Sequence, residues 1–271
     1  MKHAKKGRKY HMMGTAILWA ELRRGLKNHL AYPIQAACEI ITVIFIAVAV
    51  PALREGSFLR GISGAALEHP EKTVALVMVF VALIGLQIVH RVVGEESDLG
   101  TLEQLCLTPV GLPALIMFRC AADTIRMLPV VLMVVGFFSP SGQVVQILAI
   151  VCVIILLMNI GMLGIGFILG SLTLVAKRTG FIPNLVSLTL LPLAMSSSNE
   201  LPAIIESAGS VVPFTQGIRL MERALKSFPV SSWVSDLMRL CILSALWLVI
   251  GIKCFVRAER FARERGLLGK Y

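Results

Sequence analysis

Charged residues are scarce in this sequence. Only 15% of its 271 residues are Asp, Glu, Lys or Arg, and 56% are hydrophobic. Soluble domains carry about 25% charged residues, so this composition excludes an ordinary soluble protein. It indicates a polytopic membrane protein, in which each spanning helix uses about 20 mostly apolar residues.

Several catalytic and ligand-binding motifs are missing as well. No G-x-x-x-x-G-K-[ST] occurs, which excludes ATP binding through a P-loop on this chain. Neither H-E-x-x-H nor G-x-S-x-G occurs, which argues against the commonest metalloprotease and hydrolase layouts. The six cysteines contain no C-x-x-C and the five histidines stand alone. We therefore predict no metal site, no disulfide framework, no cofactor and no enzymatic centre on the chain.

The net charge of +10 is concentrated at the two ends of the chain. Residues 1–33 carry eight Lys or Arg and only one acidic residue, Glu21, and the tail after Lys253 is also basic. We interpret this pattern by the positive-inside rule and attraction to an anionic lipid bilayer, with no nucleic-acid partner. Both termini are then cytoplasmic in the cell membrane, which requires an even number of spans. The first apolar run begins near Ile34, too late for a secretory signal.

Apolar runs predict an all-α membrane protein with six transmembrane helices. They cover about Ile34–Leu53, Thr73–Val92, Leu115–Phe138, Val144–Val175, Gly180–Met195 and Leu237–Phe255. Leucines at every fourth position between Thr15 and Leu30 predict an amphipathic interfacial helix before them. The chain then divides into a basic arm with the interfacial helix (1–33), a six-span domain (34–256) and a basic cytoplasmic tail (257–271).

Residues 199–230 do not fit a simple span. They contain two moderately apolar helical stretches interrupted by Gly209 and Pro213, and each stretch is too short to cross a bilayer. A re-entrant pair of helices and an amphipathic helix on the outer membrane surface both remain open.

Glycines are frequent in the predicted fourth span. Gly166 and Gly170 are four residues apart and so share one helical face, where small residues let helices approach closely. We therefore predict helix packing at this face, not a substrate site.

Charged residues in the predicted spans are few, and each costs about 2.5–3.5 kcal/mol at mid-membrane on insertion scales. Glu39 lies one or two turns into the first span and can still reach the interface. Arg119, Asp123 and Arg126 share one helical face, so Asp123 can pair with either arginine. One reading is a polar relay or substrate contact. We favour the other, in which these charges anchor the helix in the cytoplasmic interface.

The most distinctive stretch is Gly94–Pro109, G-E-E-S-D-L-G-T-L-E-Q-L-C-L-T-P, between the second and third spans. Acidic residues and helix-start signals occur together there. Asp98 or Thr101 predicts the N-cap of a short exposed helix, and the early acidic residues suit its positive end. Because a cytoplasmic membrane surface favours Lys and Arg, an acidic segment there is better explained by a protein partner.

This segment resembles the cytoplasmic loop of type-2 ABC transporter permeases, where an acidic E-x-x-x-G-T-L-E-Q-L-x-x-T-P run follows the second span. Two further stretches are similar to the same family. They are V-P-F-T-Q-G-I-R-L-M-E-R-A-L at 212–225 and the R-G-L-L-G-K-Y ending at Tyr271. The order of interfacial helix, six spans and re-entrant region also matches.

The resemblance implies a permease subunit of an ATP-driven exporter of hydrophobic or amphipathic substrates. The permease would pair with a second copy or a related chain and dock two copies of a separate ABC ATPase, which holds ATP and Mg. A coupling helix at about 95–108 would contact the ATPase, and the first and fifth spans would line the translocation path. The implied coupling residues are Glu95, Glu96, Asp98, Gly100, Thr101, Glu103 and Gln104, with Leu102 and Leu105 packing underneath.

Three other functions remain to be weighed. An ATP-independent secondary transporter usually shows two related halves with paired broken helices, and no internal repeat is visible here. An intramembrane enzyme acting on lipids would need Asp123 and the histidines to converge. A non-transporting scaffold would recruit a soluble partner through the acidic segment alone.

Overall fold

The computed structural model describes residues 70–98, 100–101, 104–105, 111–138, 144–176, 181–195, 209, 211–226 and 234–265, together with isolated positions between 19 and 41. Every regular element among these residues is helical, and no strand occurs among them. In chain order the helices are α1 (Pro70–Asp98), α2 (Leu112–Phe138), α3 (Val144–Ala176), α4 (Phe181–Met195), α5 (Pro213–Lys226) and α6 (Val234–Glu264).

Among the described residues, three helices are long and apolar enough to cross a membrane. The qualifying stretches are Val77–Asp98 in α1, Leu148–Val175 in α3 and Val234–Glu264 in α6. They indicate an integral, multi-pass membrane protein. Helix α4 has 15 residues and so covers about 22 Å, less than the roughly 30 Å of bilayer hydrocarbon.

Two helices end well beyond the predicted span ends. Helix α1 continues beyond Val92 to Asp98, and α6 continues beyond Phe255 to Glu264, into the predicted basic tail. Apolar runs locate the part of a helix that lies in lipid. Backbone hydrogen bonding can continue the same helix into polar sequence. The predicted first span, Ile34–Leu53, lies outside the described residues except at three positions, which are helical.

The ends of four helices meet at one end of the bundle. Val93 of α1, Leu112 of α2, Leu174 of α3 and Ala262 of α6 pack in one apolar cluster. The C-termini of α1, α3 and α6 and the N-terminus of α2 therefore lie together. We call this end, which carries Asp98, the acidic end.

Helix α3 is the centre of the described bundle and contacts all five other helices. Its closest neighbour is α6. A Cβ added at Gly164 would collide with the backbone of Trp247 and Leu248, and one added at Gly251 would collide with the Gly164 carbonyl oxygen. The two helices therefore meet backbone to backbone, which only glycine permits at these positions.

Glycines on another face of α3 bring α1 close as well. A Cβ at Gly166 would lie 2.7 Å from the Leu86 carbonyl oxygen, and one at Gly170 would collide with the Val89 side chain. The predicted packing role of Gly166 and Gly170 is thus confirmed, and α1 is the helix they admit.

Polar side chains also join α1 to α3. The Thr173 hydroxyl lies 3.2 Å from the Leu169 carbonyl and 3.0 Å from His90 Nδ1, and the tautomer of His90 sets which atom of the second pair donates. No neighbouring residue in the sequence predicts this partner for His90. Its partner lies 83 residues away, where no spacing rule applies.

We predict that Gly164→Ala and Gly251→Ala each lower the free energy of unfolding by about 1–3 kcal/mol, the usual cost of overpacking. The measurement is thermal unfolding of the purified protein in detergent. The control is Gly136→Ala in α2, whose added Cβ meets no atom within 4 Å. Equal stability of Gly164→Ala and the control would contradict the backbone contact.

Candidate functional site

Helix α1 ends in a Schellman motif at the acidic segment. The Gly100 N–H donates to the Ser97 carbonyl and the Thr101 N–H donates to the Glu96 carbonyl, both at 3.0 Å. Gly100 has a φ of 66°, the left-handed conformation that this motif requires and that glycine adopts without strain. Gly100 therefore stops α1 and turns the chain.

This geometry corrects the predicted position of the acidic residues. Glu95, Glu96 and Asp98 were expected ahead of a short helix, at its positive end, but they occupy the last turns of α1, whose C-terminus is the negative end. Asp98 or Thr101 was predicted as the N-cap of a short helix, whereas Asp98 lies in the last turn of α1 and Gly100 closes that helix. Thr101 does open a helical turn, because its carbonyl accepts the Leu105 N–H at 3.1 Å.

Glu96 is buried and binds inward. Its Oε1 accepts a hydrogen bond from Arg119 Nη2 at 2.9 Å, and its Oε2 accepts one from the Thr101 hydroxyl at 2.5 Å. Arg119 Nε also lies 3.5 Å from Glu21 Oε1. We call Glu21, Glu96, Thr101 and Arg119 the Arg119 clamp, since one guanidinium joins the chain at residue 21, the end of α1 and α2.

The Arg119 clamp is an ion-pair cluster largely removed from solvent. The side chains of Arg119, Glu96 and Glu21 are 12%, 10% and 15% exposed. Such pairs are screened less by salt than surface pairs are, and removing one partner leaves a charge uncompensated. Arg119 also offsets the repulsion between the Glu96 carboxylate and the negative C-terminus of α1.

The other charges of this α2 face pair within their own helix. Arg126 Nη2 lies 2.8 Å from Asp123 Oδ1. The sequence allowed Asp123 to pair with Arg119 or with Arg126. In the structure Asp123 forms its ion pair with Arg126, and Arg119 pairs with Glu96 of α1.

The acidic segment presents a second set of residues to the outside. Glu95, Asp98, Gly100 and Gln104 are exposed. Leu105 is half-buried and packs against the apolar cluster of the acidic end. The segment thus has an inner side fixed to the bundle and an outer side that carries two carboxylates and an amide.

Three predicted site residues lie outside the described residues: Glu39, Leu102 and Glu103. Their assigned roles stay predictions. In the part of the chain that the structure describes, no group of three His, Cys, Asp or Glu side chains could hold a metal ion.

Sequence reasoning missed the long-range links of the Arg119 clamp. Glu96 and Arg119 are 23 residues apart, and Glu21 is further still. The sequence holds one indication of the Glu21 contact. Residues 1–33 carry eight Lys or Arg, and Glu21 is their only acidic residue. A single carboxylate in a basic segment can pair with a cation, but the sequence does not say which one.

No protein-family model matches this chain, and no curated protein matches it either. The resemblance to type-2 ABC permeases therefore depends on the motifs quoted above.

We predict that Arg119→Leu lowers the free energy of unfolding by about 3–5 kcal/mol, because it leaves Glu96 and Glu21 without their shared cation. Glu96→Gln should cost less, since it removes the charge but keeps an acceptor. Thermal unfolding in detergent measures both. The control is Glu95→Gln, an exposed carboxyl one residue away, with an expected change within about 0.5 kcal/mol. Equal effects of Glu95→Gln and Arg119→Leu would show that the clamp contributes nothing.

Proposed function

We propose that this chain is the membrane-spanning permease subunit of an ATP-driven ABC exporter. It moves a hydrophobic or amphipathic substrate across the cytoplasmic membrane, and a separate ATPase subunit hydrolyses the ATP. The observation that carries the proposal is the two-sided acidic segment, which is fixed inward by Glu96 and exposed outward at Glu95, Asp98 and Gln104.

This arrangement suits the transmission of force from a docked protein. A coupling element must present contacts outward and must not move independently of the helices it drives. Gly100 and Thr101 fix the turn to α1, and Arg119 fixes the end of α1 to α2. A partner that displaces the outer carboxylates would therefore displace both helices.

The charge distribution supports a cytoplasmic position for the acidic end. Helix α6 ends there, and its last turns expose Arg257, Arg260, Arg263 and Arg265. Lys and Arg are enriched on the cytoplasmic side of spanning helices. The acidic segment would then lie on the side where ATP is available.

Six spans remain part of the proposal, with α1, α3 and α6 as three of them. Helices α2 and α4 and the run at 34–53 would supply the others. Helix α4 exposes Asn184 and Thr189 beside Leu185 and Leu188 on its outer face. The Thr189 hydroxyl donates to the Val186 carbonyl within α4. We assign this partly polar face to the translocation path or to the second permease copy, in a homodimer or a heterodimer.

The position of α5 supports the re-entrant reading of residues 199–230. A Cβ added at Gly161 would lie 2.6 Å from the Pro213 side chain, and Gly161 is at the middle of the Leu148–Val175 stretch. Arg223 pairs with Asp236 at the start of α6. Helix α5 therefore starts halfway along α3 and runs back towards the end opposite to the acidic end.

The turn before α5 has partners for its backbone groups. Trp247 Nε1 donates to the Val211 carbonyl at 2.8 Å, and the Thr215 hydroxyl contacts the Val212 carbonyl at 2.9 Å and the Gly209 carbonyl. Irregular backbone at membrane depth persists only where protein groups satisfy it. These contacts are what a re-entrant turn needs, whereas a turn on the outer surface could use water.

In the proposed mechanism, ATP binding closes the ATPase dimer and displaces the acidic segments of the two permease copies. Because each segment is fixed to α1 and α2, the bundle changes between two arrangements. Substrate enters from the inner leaflet in one arrangement and leaves outward in the other. The energy comes from the partner, since this chain has no P-loop.

We expect the chain, purified in mild detergent from membranes of its own host, to carry a P-loop ATPase with vanadate-sensitive ATP hydrolysis. Replacing both Glu95 and Asp98 with Lys should reduce the bound ATPase about tenfold, because like charges then face each other across the contact. Mass spectrometry and ATP hydrolysis measure the loss. The control is Glu264→Lys, which reverses an exposed charge at the same end of the bundle.

Two results would contradict this function. One is a chain that carries no ATPase, and the other is full ATPase binding by the doubly reversed variant. Export that continues without any ATPase would instead favour an ATP-independent transporter.

We also expect Val211 to lie deep in the bilayer. A fluorophore on Val211→Cys should be quenched more strongly by nitroxides low on the lipid chains than by nitroxides near the headgroups. The control is Val234→Cys at the start of α6, which should show the opposite order. Both residues are exposed on the protein surface, at 50% and 45%. Stronger quenching by the headgroup nitroxides at both positions would contradict the re-entrant turn. It would favour a helix on the outer surface instead.

A further inference from the structure

A hydrogen bond inside the bundle joins α1 to α4. Gln87 Nε2 donates to Ser187 Oγ at 3.1 Å, and the Ser187 hydroxyl donates to the Pro183 carbonyl at 2.8 Å. The single hydroxyl proton is thus used within α4, and the serine oxygen is left to accept from Gln87. Ser187 is buried, so the bond lies between the helices and not on the surface.

Helix α4 depends on α1 for its position. It packs mainly against α1, with smaller contacts to α5 and α3. Ile182, Val186 and Leu190 face the core, while Phe181 and Leu188 are exposed. Among the described helices α4 is therefore a peripheral one, supported from a single side.

Helix α1 connects this support to the acidic segment. It runs from Pro70 to Asp98 with no proline after its first residue. Gln87 precedes Glu96 by nine residues, about 14 Å along the helix axis. The glycine contacts at Gly166 and Gly170 bring α1 close against α3, whereas α4 lies beside α1 at the edge of the described bundle.

We propose that Gln87 and Ser187 are positioning residues that make α4 follow α1 when the acidic segment is displaced. This inference depends on the proposed function, which supplies the displacement. In hydrocarbon no water replaces the lost partner of a glutamine amide. A displaced α1 therefore keeps the bond by carrying α4 with it, and the outer face of α4 moves together with the acidic end.

The experiment measures the α1–α4 distance in the complex of this chain with its ATPase. Spin labels are placed at Arg91→Cys and Leu188→Cys, which are exposed positions on the two helices, in a background without the native cysteines. Labelled chain is diluted with unlabelled chain, and distances are recorded by electron–electron double resonance without nucleotide and after trapping with MgATP and vanadate. The unsubstituted pair should give one dominant narrow distance in both states, with only a minor population of separated helices.

Ser187→Ala and Gln87→Met should each add a second, longer distance in the trapped state only. The population of separated helices should rise about threefold, the change expected when one interhelical hydrogen bond in a membrane is lost. The double variant should show no further increase, because both changes remove the same bond. If the bond had a purely structural role, its loss would change the α1–α4 distance equally with and without nucleotide. A change seen only in the trapped state therefore distinguishes a positioning role from a structural one.

Thr173→Val is the control. It removes the neighbouring hydrogen bond with His90, which joins α1 to α3 and not to α4, and should leave the α1–α4 distance narrow in both states. If the ATPase still binds and the α1–α4 distance is unchanged in both Ser187→Ala and Gln87→Met, the inference is wrong. If the unsubstituted chain binds no ATPase, the proposed function fails, and this inference fails with it.

Discussion

Helices in a bilayer gain little from the hydrophobic effect on meeting one another, since lipid tails are as apolar as leucine. Close packing has to replace it. The approach of α3 and α6 at Gly164 and Gly251 supplies this packing, because each position leaves room only for a hydrogen where a Cβ would strike the opposite backbone. Gly161, Gly166 and Gly170 extend the same principle to the Pro213 turn and to α1.

Polar contacts then fix the helices that the glycines bring together. Along α1, Gln87 reaches α4, His90 reaches α3 and Glu96 reaches α2. Each bond has few alternatives in an apolar interior, because an unpaired polar group there is costly. Tight packing decides which helices are neighbours, and these bonds decide their register.

The proposed function depends on the end of α1, where close helix packing and polar contacts occur together. The acidic segment lies at the end of α1, and the Arg119 clamp prevents it from moving alone. A partner bound to its outer carboxylates would act on a helix that is already joined to α2, α3 and α4. The same segment on a flexible loop could bind a partner but could not transmit its motion to the bundle.

The helices themselves were largely predictable. Runs of apolar residues gave α2, α3 and α4 to within a few residues, because a membrane requires long uninterrupted stretches and tolerates few charges. They gave too early an end for α1 and α6, where hydrogen bonding continues into polar sequence. The end of α1 before Gly100 was not predicted, because the apolar run already ends near Val92.

The partners of buried polar residues were not predictable. Local spacing offered Arg119 and Arg126 equally to Asp123, and only the approach of α1 gave Arg119 its partner Glu96. By itself the sequence determined which segments are helical and apolar and that an acidic segment interrupts them, since these properties depend on neighbouring residues. Only the tertiary structure decided that Glu96 faces inward and Glu95 outward, because that choice depends on a helix that begins more than a dozen residues later.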